Sequence, residues 1–519
     1  MSMARRRSRD AVYGSHRVPA VTPAEAAALD RSARESADIP ERVLMESAGR
    51  AAAAVVERLH PGGRVAVVAG SGNNGGDAAV VARVLHAWGR DVTLVAVGTR
   101  PPDPALLHGM QVPTEAASRL EPTLLEASVV VDGILGTGLS GPARGAAAEA
   151  IAAINRAARP TVALDLPSGL AGVDGSVQEP AVRADATVSF GWPKVGLMFQ
   201  PARSLCGRMI AVEIGFPPFD PVGAELITPS WAAARLPRRA PDAHKGSVGR
   251  VLILAGREGM AGAAALAGLA ARRAGAGLVR ISSVSTNRSI LQTLVPEATF
   301  IARDALSSDD GELAHALVAG PGIGTDADAV TALERALALT DDKPALLDAD
   351  AVTLFAGRQD ELRRIAAVRP IVITPHAGEM QRILRVPASE IAADPAWAAS
   401  EAATRLGCIV LLKGQPSVIA APDAPLLINT AGSSDTASAG MGDQLAGVIG
   451  AFLATGIDAR DAAGAALFFS SRAADLCVLG RSLGPRDVAE SLPEAFVWPG
   501  ARRSPLGLPF VTFDQPPRW

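Results

Sequence analysis

Cysteine is scarce: Cys206, Cys408 and Cys477 are the only three in 519 residues, and no two form a CxxC pair. A disulfide framework and a cysteine zinc site are both excluded, which suits a reducing, cytoplasmic setting. Neither sign of charge is in excess, since 50 Lys and Arg face 53 Asp and Glu, only 20% of residues are charged, and the net is −3. No basic or acidic field points to nucleic acid or to acidic partners. Long apolar runs are also missing, because arginines such as Arg272 and Arg273 cut the alanine-rich stretches, so no membrane span is expected. The basic N-terminus, with Arg5, Arg6, Arg7 and Arg9, runs on to Asp10 and Tyr13 instead of an apolar segment and reads as a tail, not a secretion signal. GxxxxGK[ST] does not occur, which excludes a P-loop NTPase.

What is present is a rhythm. Short β-branched runs alternate with longer Ala, Leu and Arg segments: RVAVVAG (64–70), DVTLVAV (91–97), SVVVDGIL (128–135), TVALDLP (161–167) and ATVSFG (186–191). The pattern resumes at RVLILAG (250–256), GLVRISS (277–283), HALVAG (315–320), PALLDAD (344–350), RPIVITP (369–375) and CIVLLKG (408–414). Buried strands alternating with helices predict two parallel α/β sheets, one per half. Pro229, Pro237 and Pro241 interrupt the pattern between them, which sets expected domains at 1–228 and 240–495. The residues 496–519, rich in Pro, Gly and Arg, read as a peripheral tail.

Glycine loops stand where strands run into helices. Gly70, Gly72 and Gly75 satisfy GxGxxG after the first strand, and Gly136, Gly138 and Gly141 repeat it after the third. Such glycines let a backbone turn approach a pyrophosphate at a helix N-terminus, although any tight strand-to-helix turn also favours them. A dinucleotide dehydrogenase should place an acid near the end of the next strand, whereas Asp91 opens that strand, which weakens the dehydrogenase reading. Asn73, Asn74, Asp77, Asp132, Asp165 and Ser168 gather at strand ends, and their oxygens suit a hard, weakly held cation better than zinc. In the second half, Gly320, Gly322 and Gly324, His376 with Glu379, Lys413, and Gly440 and Gly442 before Asp443 follow strands or open a helix. Asp443 reads either as a helix cap or as a carboxylate beside a bound phosphate that accepts a proton from an attacking hydroxyl.

The motifs LMESAG (44–49), SGNNGGD (71–77), DGILGTG (132–138), LDLPSG (164–169) and FGWPKVG (190–196) resemble one known family in the first half. HKGSVGRVLILAG (244–256), AGAGLVR (274–280), GPGIG (320–324), TPHAGE (374–379), LKG (412–414) and AGMGDQLAG (439–447) carry the resemblance through the second. The chain resembles the bifunctional NAD(P)H-hydrate repair enzymes, in which an NAD(P)HX epimerase is fused to an ADP-dependent (S)-NAD(P)H-hydrate dehydratase. The resemblance implies a Rossmann-like three-layer α/β/α domain followed by a ribokinase-like α/β domain. It implies that Asn73, Asn74, Gly75, Gly76 and Asp77, the loop Gly136, Thr137, Gly138, Leu139, Ser140, Gly141 and Pro142, and Asp165 hold the hydrated nucleotide. Asn74, Asp132 and Ser168 would coordinate K⁺. In the second domain Ala261, Gly322, His376 and Asp443 would meet the hydrate, while Lys413, Gly414, Gln415, Pro416, Ser417 and Gly442 would meet ADP, the co-substrate, with Mg²⁺. The catalytic expectations are Asp443 for dehydration, and Asp165 and Lys194 for epimerisation. A ribokinase-type small-molecule kinase fused to a nucleotide-binding domain is the alternative reading, and assembly into a homo-oligomer is left open. Two departures from the family pattern stand out: Ala78 follows GNNGGD where Gly is usual, and GSSDTAS (432–438) adds Asp435 near the expected phosphates.

Overall fold

The computed structural model describes residues 17–98, 100–138, 141–218, 223–239, 241–244, 248–497 and 504–516. The chain forms two compact units: one from residues up to Glu225 together with the chain from Ala501 onward, the other from Leu226 to Gly500.

In the first unit, β1 (Val65–Ala69), β2 (Val92–Ala96), β3 (Thr114–Ala116), β4 (Val129–Gly133), β5 (Thr161–Leu164), β6 (Ala186–Phe190) and β7 (Arg208–Val212) lie in the order β7-β6-β5-β4-β1-β2-β3, all parallel. Val65, Val67, Val68, Val129, Val130 and Val131 are completely buried, as strands covered on both faces must be. This is the doubly wound order, and its direction reverses between β1 and β4, opening a crevice at their carboxyl ends. Helices α1 (Pro23–Glu35), α2 (Glu41–Leu59), α3 (Asn73–Ala87) and α4 (Gly145–Ala157) flank the sheet. Close packing requires two of the GxGxxG glycines: a Cβ on Gly70 would lie 2.0 Å from the Ile134 carbonyl oxygen, and one on Gly75 would lie 2.0 Å from that of Gly70. Ala78 is fully buried within α3, a helical position that tolerates alanine.

The C-terminal segment is not peripheral. Its strand Val511–Gln515 pairs antiparallel with β7 at the sheet edge. Arg208 grips Asp514 through two hydrogen bonds of 2.7 and 2.8 Å, Arg58 donates to the Leu506 carbonyl at 3.0 Å, and Leu506 is buried. Composition misled because the Pro and Gly content surrounds the strand without entering it. The first unit is therefore not contiguous in sequence.

In the second unit, β8 (Arg250–Leu254), β9 (Leu278–Ser283), β10 (Thr299–Ala302), β11 (Ala316–Ala319), β12 (Ala345–Leu347), β13 (Ile371–Ile373), β14 (Ile409–Leu412), β15 (Val418–Ala420) and β16 (Leu426–Asn429) run in the order β16-β15-β14-β13-β12-β11-β8-β9-β10. Pairing is parallel from β10 to β14 and antiparallel for β15 and β16. Strand order reverses between β8 and β11. Helices α5 (Ala261–Arg273), α6 (Ala377–Leu384), α7 (Met441–Leu453) and α8 (Ala459–Cys477) matter for the site. Helices α5 and α7 approach so closely that a Cβ on Gly447 would lie 2.1 Å from the Ala267 carbonyl oxygen. No helix among the described residues is long and apolar enough to cross a membrane.

Candidate active sites

The crevice of the first unit is a cleft of about 1020 Å³. Its walls come from the loops after β1 and β4, the starts of α3 and α4, and the inner face of α1. Asn73, Asn74, Asp77, Gly136, Thr137, Gly138, Asp165 and Lys194 all line it. Gly75 and Gly76 do not: a Cβ on Gly76 would lie 2.7 Å from Met45, so both glycines serve close packing. Gly141 and Pro142 lie beyond the lining, and Leu139 and Ser140 fall outside the described residues.

Asp165 ends β5 in a left-handed conformation, φ 63°, a strain of about 1–3 kcal/mol for a non-glycine residue. Its carboxylate is ion-paired with the Lys194 ammonium, which also donates to the Phe190 carbonyl at 3.2 Å. Lys194 is 3% exposed, so it is no solvated turn residue. Two further carboxyls line the same cleft and feel the charge of this lysine without bonding to it. Asp77 is held well above the usual carboxylate range by burial first, then by the charges of Asp165 and Asp30, with Lys194 opposing. Asp30, on α1, is raised by burial, with Lys194 pulling it back and Asp165 adding to the rise. Asp30 was missed by sequence reasoning because it stands on a helix preceding every recognised motif.

Behind the cleft, the structure brings the three expected cation ligands together. The Ser168 hydroxyl donates to Asp132 at 2.7 Å, the Ser168 amide donates to the same carboxylate at 2.8 Å, and the Asn74 amide donates to the Leu135 carbonyl at 2.8 Å. Asn74 Oδ1 is buried with no hydrogen-bond partner among the described residues. An orphaned hard oxygen beside a buried carboxylate fits a weakly held cation, which would satisfy it.

In the second unit the site forms where β11, β12, β13 and β14 end. Lys413 donates to Asp348 at 2.8 Å and stands 3.9 Å from Glu379, and the Thr374 hydroxyl donates to Asp348 at 2.8 Å. Burial pulls the Lys413 ammonium down, but Asp348, Glu379 and Asp443 more than offset it, and the net shift is upward. Asp443 is pushed up to about 6 by burial and by the negative charge of Asp348, with Lys413 opposing. It caps nothing: α7 starts from Gly440 at φ 88° without a side-chain cap, which removes the capping alternative. Gly442 sits against the lysine, since a Cβ there would lie 3.2 Å from Lys413 Nζ.

The Arg257 amide donates to the Gly322 carbonyl at 2.6 Å, and Gly322 at φ 60° packs on Met260, so Gly322 lies beside Ala261 at the start of α5. Gly324 is tied to Asp350 by a 2.8 Å hydrogen bond, and Asp350 in turn acts electrostatically on Asp443. His376 is largely spent on structure: its Nδ1 accepts from the Gly378 amide at 2.9 Å and its ring forms a capping box with Glu379 on α6, leaving the side chain 59% exposed. The loop from Gly414 closes on itself through the Ser417 hydroxyl at 3.0 Å, with Gln415 and Pro416 between. Asp435 is exposed and bonded to the Ser433 hydroxyl at 3.1 Å. Asp348 and Asp350 were missed as site residues because LDAD reads as the end of a strand. The signal was available, since open α/β sheets bind ligands at the carboxyl ends of their strands.

Two α/β units, each with an acid–lysine pair and glycine turns where strand order reverses, define an enzyme with two separate nucleotide-type sites. A family model described as NAD(P)H-hydrate dehydratase matches residues 251–494, and one described as YjeF-related protein N-terminus matches residues 41–196. The bifunctional NAD(P)H-hydrate repair enzyme of Moorella thermoacetica is 36% identical, covering 88% of this chain and 92% of its own length. That of Escherichia coli is 37% identical over 88% of this chain and 90% of its own. A crystal structure of the ADP/ATP-dependent NAD(P)H-hydrate dehydratase of Bacillus subtilis, co-crystallised with ATP and Mg²⁺, is 31% identical and covers 52% of this chain and 97% of its own, with a TM-score of 0.46. The chain belongs to the family of bifunctional NAD(P)H-hydrate repair enzymes.

Proposed function

We propose that this enzyme repairs hydrated nicotinamide cofactors. The first unit interconverts (R)- and (S)-NAD(P)HX, and the second dehydrates the S epimer while ADP becomes AMP and phosphate. The observation that carries the reading is the half-buried, uncapped Asp443 within the electrostatic reach of Lys413 at the glycine start of α7, within a chain of this family.

Hydration leaves a hydroxyl on the carbon beside the ring nitrogen, a poor leaving group. Asp443 takes the hydroxyl proton, and the oxygen attacks the terminal phosphoryl of ADP, releasing AMP. The ring nitrogen lone pair then expels phosphate, and loss of a proton from the neighbouring carbon restores the double bond. The amides opening α7 and the Lys413 ammonium face the charge on the transferring group. Mg²⁺ entering with the nucleotide would neutralise phosphate charge, and the hard carboxylate oxygens of Asp348 and Asp350 are the donors suited to it. In the first unit Asp165 and Lys194 handle the proton of the hydroxyl on the same ring carbon, and Asn74, Asp132 and Ser168 hold K⁺. The domain assignment follows: epimerase in the unit containing residues 17–225, dehydratase in the unit from 226. The three cysteines are free, which suits the cytoplasmic location we assign.

The test is incubation with racemic NADHX, with and without ADP, following reduced-cofactor absorbance and AMP. Full recovery with ADP and none without it is expected. A stable phosphorylated product with no NADH would instead support the ribokinase-type kinase.

A further inference from the structure

Asp77 is a buried acid that the mechanism above leaves unused. It stands in the second turn of α3, 9% exposed, on the wall of the cleft that also holds Asp30, Asp165 and Lys194. Asp165 has a lysine partner, whereas the influences on Asp77 are burial and the charges of Asp165, Asp30, Lys194 and Glu41, with no hydrogen bond among them. A carboxyl largely withdrawn from water on a cleft wall is costly to ionise, and a protein that needed only packing at this point would lose nothing with an apolar residue. One cleft thus contains a carboxylate held by a lysine, Asp165, and a carboxyl with no lysine of its own, Asp77, whose protonated form burial favours. Two carboxyls in such unlike surroundings can divide the work, one accepting a proton while the other donates.

Resting on the epimerase reading of this unit, we infer that Asp77 is a second catalytic residue of the epimerase, the proton donor that works opposite Asp165. The substrate carbon bears both a hydroxyl and a ring nitrogen, so it is a carbinolamine and inverts by opening the ring. Asp165 takes the hydroxyl proton, the O–H pair becomes the second bond of an aldehyde carbonyl, and the C–N bond breaks. Its electron pair stays on nitrogen, which takes the proton from Asp77. Rotation of the aldehyde and closure onto its other face return both protons, Asp77 recovering its own from nitrogen and Asp165 giving its to oxygen. No other reactant is consumed. Cleaving C–O instead would give an iminium that loses a neighbouring proton to form the reduced cofactor, which would make the ADP-driven second unit redundant.

The experiment follows interconversion of purified (R)- and (S)-NADHX by the full chain without ADP, for wild type and Asp77→Asn, against pH. The donor must hold its proton, and the carboxyl is raised by burial and by its acidic neighbours, so wild-type kcat/KM should fall as pH rises from mildly acid to mildly alkaline. Asp77→Asn should lose about a hundredfold or more in kcat, with KM nearly unchanged, and its profile should lack that descending limb. A folded variant with wild-type rate and profile, or a loss confined to KM, would overturn the role of Asp77 alone. If the variant fails to fold by thermal melting, the wild-type profile decides, and the absence of a descending limb overturns the proposal. No interconversion by wild type at all would overturn the epimerase reading itself.

Discussion

The two units place the same pair of residue types at the same part of a parallel sheet and surround it differently. Asp165 with Lys194 ends β5 in one, and Asp348 with Lys413 spans the ends of β12 and β14 in the other. Each pair has a strained non-glycine residue beside it, Asp165 itself at φ 63° and Ala349 at φ 48°. In the first unit Asp165 pairs with a buried lysine while Asp30 and Asp77 line the same cleft within reach of its charge, surroundings suited to the proton transfer we propose. In the second, Asp443 sits at a glycine-rich helix start where amides point outward, an arrangement that meets phosphate charge. On the proposed mechanism, an acid–lysine pair is a frame whose neighbours suit it to proton transfer in one unit and to phosphoryl transfer in the other.

The sharpest way to break that contrast is Asp443→Asn. The ADP-dependent recovery of NADH should drop about a hundredfold to ten-thousandfold, while interconversion of the epimers persists. Loss of both activities in a folded variant would show that the sites are not independent. In the wild type the base must be ionised, so dehydration should speed up as pH rises through about 6, and a flat rate from mildly acid to neutral pH would count against Asp443. The same shift has the opposite sign for stability. A carboxyl raised to about 6 contributes stability that is fully present below 3.8 and lost as pH rises through 6, an effect of up to roughly 3 kcal/mol. Asp443→Asn should therefore melt higher than wild type at pH 8 and not at pH 4.

Asp165→Ala tests the other side. Rapid ADP-driven recovery from racemic NADHX should stop near half, the R epimer then following only at its spontaneous rate, and complete rapid conversion would remove Asp165 from the mechanism. Ending the chain at residue 500 sharpens the comparison through stability. Loss of the strand Val511–Gln515 and of the Arg208–Asp514 pair should cost the first unit roughly 2–4 kcal/mol, read as an earlier melting step, with the second unit little affected. A fragment of residues 1–228 lacks this strand, so rescue of Asp165→Ala by an added first unit needs residues 501–519 as well. The smallest expected effect is ionic. Replacing Na⁺ by K⁺ should raise the first unit's melting temperature by a few degrees, as ligand binding at tens of times its Kd contributes about 2 kcal/mol, and Asn74→Ala should abolish the difference. Equal melting in both salts would remove K⁺ from the site.

Sequence by itself determined the alternation of strands and helices, the two-sheet plan and the glycine turns, and it put Asp165, Lys194, Lys413 and Asp443 forward as candidates for chemistry. These are local signals, legible because strand period, helix caps and turn chemistry act over a few residues. Tertiary structure alone decided which glycines face the cleft and which pack, since Gly75 and Gly136 satisfy the same pattern but only Gly136 lines it. It decided that Asp30, Asp77 and Asp165, drawn from two helices and a strand end, line one cleft with Lys194. It also decided that a strand from the far end of the chain completes the first unit's sheet. Each of these depends on the pairing of segments far apart in sequence, where burial and charge arise from neighbours that no local window contains.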